Sequence, residues 1–341
     1  MSGGADVLIV ALGTTAGWRG ADEQLAAAIA RAGARVEVAS AGPVPRVRTF
    51  ALTDLVQARA CRAAALRGIR EHAPRGVIYS SSTASLLAPR PGAIWFDSPA
   101  ADNRRGHDGF WQRPVERRRM AAAQLLLPMS DGSLAPLPAS VRDATPAVVL
   151  PVPVEPSGAG AGSAAPGEPP AADAAAAERD IAAVAYAADP VKKGLDRILA
   201  AWREVRRPGE RLLVAGRNGP LGEGAEGAGL LAADEYRALL RRARVFVAAP
   251  LREDHGIAQL EALADGCRLV TTPSPGAYPA REIARQLDSR LVSDDLATAL
   301  RSALDADDDD YTARAAVLLT PYRRASFDAA VREQVLPLLL G

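Results

Sequence analysis

Cysteine is nearly absent: the 341 residues hold only Cys61 and Cys267. The two are far apart and lack the paired spacing of a zinc site or a disulfide framework, which excludes a disulfide-stapled scaffold and suits a reducing compartment. Long apolar runs are missing as well. The start, MSGGADVLIVALG, contains the short run VLIVAL with no basic region before it. It reads as a buried strand rather than a signal peptide, and no longer run could span a membrane. A cytoplasmic location is the expectation. Excess charge of one sign is lacking too, since 41 Lys and Arg offset 40 Asp and Glu to a formal +1. That removes the broad positive field with which nucleic-acid proteins gather phosphates, so no nucleic-acid partner is expected. Aromatic residues make up only 4 %, and beside the many Ala, Arg, Gly and Pro this looks like a GC-rich coding bias, which weakens arguments from composition. Length remains informative, because the chain exceeds the size at which one core keeps growing, and two domains of about 150 residues follow.

What is present is alternation. Short runs of β-formers, VLIVAL (7–12), RVEVAS (35–40), GVIYS, AIWFD (93–97), LLLPMS and AVVLPV, are separated by amphipathic stretches over 21–32, around 54–72 and over about 114–123. Such βαβ rhythm predicts a parallel sheet with helices on both faces. Residues 155–178 then lose their large apolar side chains and read as a Gly/Ala/Pro-rich interdomain linker. Alternation resumes with IAAVAY (181–186), RLLVAG (211–216), VFVAAP (245–250) and RLVTT (268–272), with predicted helices over 194–206, 234–242, 256–265 and 296–304. The second half is therefore α/β as well, and an amphipathic stretch over 326–340 ends the chain.

Three segments carry candidate chemistry. In APLREDHGIAQLEALADGCRLVTT a strand ends at Pro250, a loop follows, and a helix runs to a Gly266 cap. Loops of this kind face the ligand crevice of an open α/β sheet. Glu253 lies on the loop and Glu261 eight positions on, beside an apolar stripe, where a carboxylate needs a partner. Glu253 and Asp254 could equally serve as caps of the helix N-terminus, with Glu261 at the stripe's edge. In YAADPVKKGLDRILAAW, Lys192 and Lys193 precede Gly194 at a helix start. A cation there adds to the amide donors and the positive dipole end to make a phosphate site, although Lys pairs at helix starts are often solvated surface. The first βα turn, GTTAGWRGADEQL, lacks the spaced glycines of a dinucleotide fingerprint. Asp97, Asn103 and His107 follow the strand AIWFD and could line a crevice, while a lone loop His is commonly an ordinary surface residue. Trp18 and Trp111 fit either a stacking platform or the core, and the basic residues 104, 105, 113 and 117–119 either an anionic acceptor, a membrane surface or a solvated helix face. The acidic run 305–310 has no Gly-turn spacing of a calcium loop and reads as solvent-facing.

The first of these segments resembles the donor-site motif of the retaining glycosyltransferases of family four, whose fold is GT-B. Their pattern is Glu, seven residues, Glu, then Ala-Leu/Met-Ala-x-Gly and a strand; Glu253, Gly256, Ile257, Glu261, Ala262, Leu263, Ala264, Gly266, Leu269 and Val270 follow it in order. The resemblance is close over about 181–275 and looser before. It implies two Rossmann-like domains facing each other across a cleft, with an acceptor domain over 1–154, a donor domain over 179–320, and a C-terminal crossover helix over 321–341 packing back on the first domain. It implies that Glu253 contacts hydroxyls of the transferred sugar, that Glu261 accepts hydrogen bonds from the nucleotide ribose, and that Lys193 holds the donor diphosphate, with Lys192 or another Arg as the alternatives for a second cation. Gly17 and Gly20 are the implied counterparts of the family's acceptor-domain glycine loop, and Asp97 or His107 would stand near the transferred sugar. His255 replaces a usual Phe, and Ala187 and Ala188 stand where a second diphosphate-binding Arg is usual. The implied activity is metal-independent transfer of a sugar from a nucleotide-diphospho-sugar (UDP, GDP or another) to an acceptor hydroxyl, with retention of configuration. The acceptor is a glycan, a lipid-linked molecule or a small molecule, and peripheral contact with the inner membrane face fits such a role. Two other readings use the same donor groove: a sugar-nucleotide epimerase, and a non-catalytic nucleotide-sugar-binding protein.

Overall fold

The computed structural model describes residues 4–13, 16–42, 44, 47–104, 106–158, 179–308 and 310–341. The chain divides into two compact units, one formed by Met1–Pro153 with Arg324–Gly341, the other by Val154–Arg323.

The first unit is built on five strands, β1 (Val7–Ala11), β2 (Val36–Ser40), β3 (Gly76–Tyr79), β4 (Ala93–Phe96) and β5 (Leu125–Pro128), in the order β2-β1-β3-β4-β5. All pairs are parallel. Strands β1, β3, β4 and β5 are buried throughout, which is why they read as continuous apolar runs rather than alternating ones. AVVLPV, expected as a strand, is not one. Pro146 and Pro151 remove ladder donors, and the segment runs beside β5 through one bridge, Leu126 to Ala147, with Val148 and Leu150 donating to the Leu126 and Pro128 carbonyls at 2.9 and 2.8 Å. The C-terminal residues complete this unit: helix Arg324–Ala330, a π-helical turn Val331–Val335 and helix Leu336–Leu340 bury Phe327, Val331, Val335 and Leu339.

The second unit holds β6 (Ile181–Tyr186), β7 (Leu212–Ala215), β8 (Asn218–Gly222), β9 (Ala225–Gly229), β10 (Ala243–Ala248) and β11 (Arg268–Thr271), in the order β11-β10-β6-β7-β9-β8. It is parallel except for the antiparallel β8–β9 hairpin. Helix Leu195–Val205 buries Leu195, Ile198, Ala201 and Trp202, a spacing that lays one apolar stripe on the sheet; each large side chain so buried contributes about 1.5–3 kcal/mol. Of the predicted linker, residues 159–178 lie outside the described residues. Its first residues are fixed to this unit: the Ser157 amide donates to Asp265 at 2.7 Å, and Arg237 donates to the Glu155 carbonyl at 2.6 Å.

Candidate functional site

Strand β6 has its sequence successor β7 on one side and the later strand β10 on the other. This is a topological switch point, and ligands of open α/β sheets bind outside the carboxyl ends of the strands at such a place. Two turns leave the sheet there, Ala187–Gly194 after β6 and Ala249–Gly256 after β10. They are locked together by backbone. The Leu251 amide donates to the Lys192 carbonyl at 3.0 Å. Gly194 adopts φ 64°, and a Cβ there would lie 1.9 Å from the Ala249 carbonyl oxygen, so only glycine permits this approach.

The lock brings together the two side chains singled out from the sequence. Lys193 Nζ stands 2.6 Å from Glu253 Oε2, with 28 % and 13 % of the side chains exposed. Gln259, on the first turn of helix Ile257–Ala264, donates Nε2 to the same oxygen at 3.3 Å. Glu253 is held from behind as well. Its amide donates to the Pro275 carbonyl at 3.0 Å, and Gly276, at φ 111°, passes so close that a Cβ would lie 2.0 Å from the Glu253 carbonyl oxygen. Tyr186, Lys193, Phe246, Ala248, Pro250, Ala258 and Gln259 line an open depression of about 230 Å³ beside the pair.

Glu261 projects from the same helix into a second charged group. Arg237 bonds Asp265 through Nε at 2.6 Å and through a terminal nitrogen at 2.9 Å, and its other terminal nitrogen lies 3.7 Å from Glu261. Burial lifts the Glu261 carboxyl to about 7, with Arg237 opposing and Asp265 adding to the rise. A carboxyl poised near neutrality at a crevice marks a functional candidate. Beside it, burial pushes the Tyr236 hydroxyl well up, and the Glu261 charge adds to this; its ring meets Tyr186 edge-on at 6.0 Å.

The other predicted residues separate. Gly256 adopts φ 80° just before the helix, where a Cβ would lie 2.9 Å from the Tyr278 ring, and Ile257 is half-buried at the first helical position. Lys192 is 59 % exposed with its ammonium 4.0 Å from Asp189, apart from the Lys193 pair. His255 is buried 6.4 Å from the Tyr322 ring, and burial lowers it to about 4, so it is neutral at pH 7. In the first unit, Gly17 and Gly20 lie within helix Ala16–Arg31 rather than in a loop, and nothing approaches the place of a Gly20 Cβ within 4 Å. The glycine with positive φ in this turn is Gly13, at 64°. Asp97 follows β4 and accepts the Ser98 amide at 2.8 Å, while His107 is exposed in the short turn Gly106–Gly109. Trp18, half-buried, packs edge-on against buried Trp95 at 6.0 Å, and half-buried Trp111 donates to the Ala51 carbonyl at 3.1 Å. From the acidic run, Asp305 pairs with Arg207 and Arg301, and Asp308 with Arg314; residue 309, like residue 105 of the basic cluster, lies outside the described residues. Sequence reasoning missed Gln259, Arg237 and Asp265, which carry no motif of their own and reach the site through helix register and strand order.

Residues 178–306 match the family model of the glycosyl transferases group 1. The matched stretch makes up most of the second unit. No curated protein sequence matches the chain, but solved structures do. WaaG, a glycosyltransferase involved in lipopolysaccharide biosynthesis, superimposes with a TM-score of 0.63 at 15 % identity over 98 % of this chain and 99 % of its own. Sucrose-phosphate synthase from Thermosynechococcus elongatus gives 0.64 at 18 % identity, over 97 % and 98 %. Anabaena HepE, in complex with UDP and glucose, gives 0.60 at 13 %, over 97 % and 99 %. The fold is GT-B, with two Rossmann-like domains. Within the matched stretch Glu253 lies on the β10 turn and Glu261 on the helix that follows it. No helix among the described residues is long and apolar enough to cross a membrane.

Proposed function

We propose that the protein transfers a sugar from a nucleoside diphosphate to an acceptor hydroxyl with retention of configuration, and that the donor lies at the carboxyl edge of β6 and β10. The observation that carries this reading is the Lys193–Glu253 contact of 2.6 Å at the switch point. An ammonium and a carboxylate paired at a crevice can each exchange partner. A donor diphosphate draws Lys193 toward its phosphate oxygens at the start of helix Leu195–Val205, where the dipole also favours negative charge. Glu253, still held by Gln259, is then released to accept hydrogen bonds from hydroxyls of the sugar. As the glycosidic bond breaks, charge grows on the departing diphosphate, and Lys193 stabilises that charge more than it stabilises the intact donor. A donor phosphate oxygen takes the acceptor proton. Glu261, beside Arg237 and Asp265, receives the ribose hydroxyls.

Calorimetric titration of UDP, GDP, ADP and their sugars against wild type and Lys193→Ala tests this. One nucleotide should bind, and the variant should lose about tenfold or more in affinity, as expected for one hydrogen bond to a charged group. Absence of binding by every nucleotide would sink the donor site, and equal binding by Lys193→Ala would displace the diphosphate from this turn. Conversion of the nucleotide sugar without an acceptor would make the protein an epimerase.

A further inference from the structure

One strand away from the Lys193 turn, the chain leaves the same edge of the sheet at Arg217. Strands β6 and β7 run parallel with Tyr186 opposite Ala215, so the two following turns emerge side by side. They touch: Gly216 takes φ 83°, and a Cβ there would stand 2.8 Å from the Ala188 backbone nitrogen and Cα. On its other side Arg217 is fixed by the β8–β9 hairpin. Its carbonyl accepts the Gly229 amide at 2.6 Å, and Gly227 passes where a Cβ would lie 2.4 Å from the same oxygen. Opposite Val214 and Ala215, at the end of β7, the pairing with β9 skips Ala228, an irregularity that bends the hairpin strand beside this turn. Two glycines thus hold one arginine in a set position beside the donor turn.

The guanidinium placed there is unspent. Arg217 Nε is buried with no hydrogen-bond partner, and no carboxylate pairs with the side chain among the described residues. Several arginines of the unit are paired with carboxylates, Arg206 with Glu223, Arg207 with Asp305 and Arg301 with Glu210. A buried donor left without an acceptor costs about 1–3 kcal/mol, and a site kept for an incoming anion accounts for it. The donor turn needs such a group. Lys193 is neutralised by Glu253, Lys192 lies beside Asp189, and Ala187 and Ala188 carry no charge, so the turn holds one committed ammonium for a ligand with two phosphates.

We propose that Arg217 is the second cation of the donor site, binding a phosphate oxygen of the nucleoside diphosphate across from Lys193. This inference rests on the donor reading above. The close packing of Gly216 on Ala188 shows how the site dispenses with a long side chain at 188: the cation is carried by the adjacent strand. The guanidinium fork also suits a phosphate better than a lysine point charge does.

The test is titration of UDP, GDP and ADP, and of uridine, guanosine and adenosine, into wild type, Arg217→Gln and Arg217→Lys, with melting curves for each. Arg217→Gln should bind the preferred diphosphate about tenfold or more weakly while binding its nucleoside unchanged, and Arg217→Lys should recover part of the loss. Equal diphosphate binding by wild type and Arg217→Gln, with Lys193→Ala still impaired, overturns the role of Arg217 and leaves the donor site standing. Equal losses for nucleoside and diphosphate also overturn it, because the residue would then act through the fold. If wild type binds no diphosphate, the donor reading falls and this inference with it. Should Arg217→Gln fail to fold, Arg217→Lys decides alone: a several-fold loss confined to the diphosphate supports the assignment, and none overturns it.

Discussion

Glu261 sits where burial and a nearby guanidinium pull one carboxyl in opposite directions, and burial wins, holding it at about 7 against an ordinary 4.5. In the folded protein it therefore keeps its proton over a range where the unfolded chain has lost it. The sign follows: its contribution to stability is fully present below about pH 4.5, is lost as pH rises to about 7, and is constant above. Ligand binding runs the other way, because hydroxyl donors such as those of a ribose favour the ionised carboxylate. Nucleotide affinity should rise with pH up to about 7 and then level, with protons released on binding at about pH 6. Calorimetry in buffers of different ionisation enthalpy reads that release, and Glu261→Gln should abolish it. Wild-type affinity that is flat across this range would remove Glu261 from the ligand's contacts.

Among the elements, the turns at the sheet edge are set by glycines whose reasons differ. Gly194 combines φ 64° with a Cβ position 1.9 Å from the Ala249 carbonyl oxygen, whereas Gly209 has φ 86° with nothing within 4 Å of its Cβ position. Gly209→Ala should cost only the backbone strain, about 1 kcal/mol, and Gly194→Ala about 3 kcal/mol or more, because the β6 and β10 turns must part. Urea midpoints compare them, and equal losses would mean that the close approach is not what fixes the turn. The same elements show what the sequence makes legible. Strands β6, β7, β10 and β11 were readable because buried parallel strands are continuous apolar runs, and Lys193, Glu253 and Glu261 through the resemblance to the family's donor-site pattern, since their spacing alone fits helix caps and solvated surface as well. The β8–β9 hairpin was not, since NGPLGEGAEGAG has almost no β-formers and pairs at the edge through backbone alone. Helix Ala16–Arg31 begins five residues before its apolar stripe does, at Ala21, which moves Gly17 and Gly20 out of the loop. Gln259 and Arg217 gain meaning only from strand order, which no local pattern contains.

At the scale of the whole molecule, sequence neighbours and structural neighbours part company at Arg323. The last helices follow the second unit in the chain but are built into the first. Phe327 packs on Trp95 at 6.3 Å, Arg31 grips Asp328 at 2.7 and 2.8 Å, and Arg75 donates to the Leu340 carbonyl at 3.0 Å. Gly76, the first residue of β3, is so close to Leu339 that a Cβ would lie 2.7 Å from its Cγ, so the tail covers the start of that strand. Phe327, Val331, Val335 and Leu339 are all buried. At about 1.5–3 kcal/mol each they amount to much of a domain's usual net stability of about 5–15 kcal/mol. A chain ending at Arg323 should therefore lose hydrogen-exchange protection in β1, β3 and β4, far from the cut in sequence, while β6 and β10 keep theirs. Such a chain should still bind a nucleotide diphosphate, because every group assigned to that ligand lies between residues 186 and 261, and should transfer no sugar. Loss of protection in β6 and β10 to the same degree would mean that the tail stabilises the second unit as much as the first. Protection unchanged in β1, β3 and β4 would mean that the first sheet stands without it.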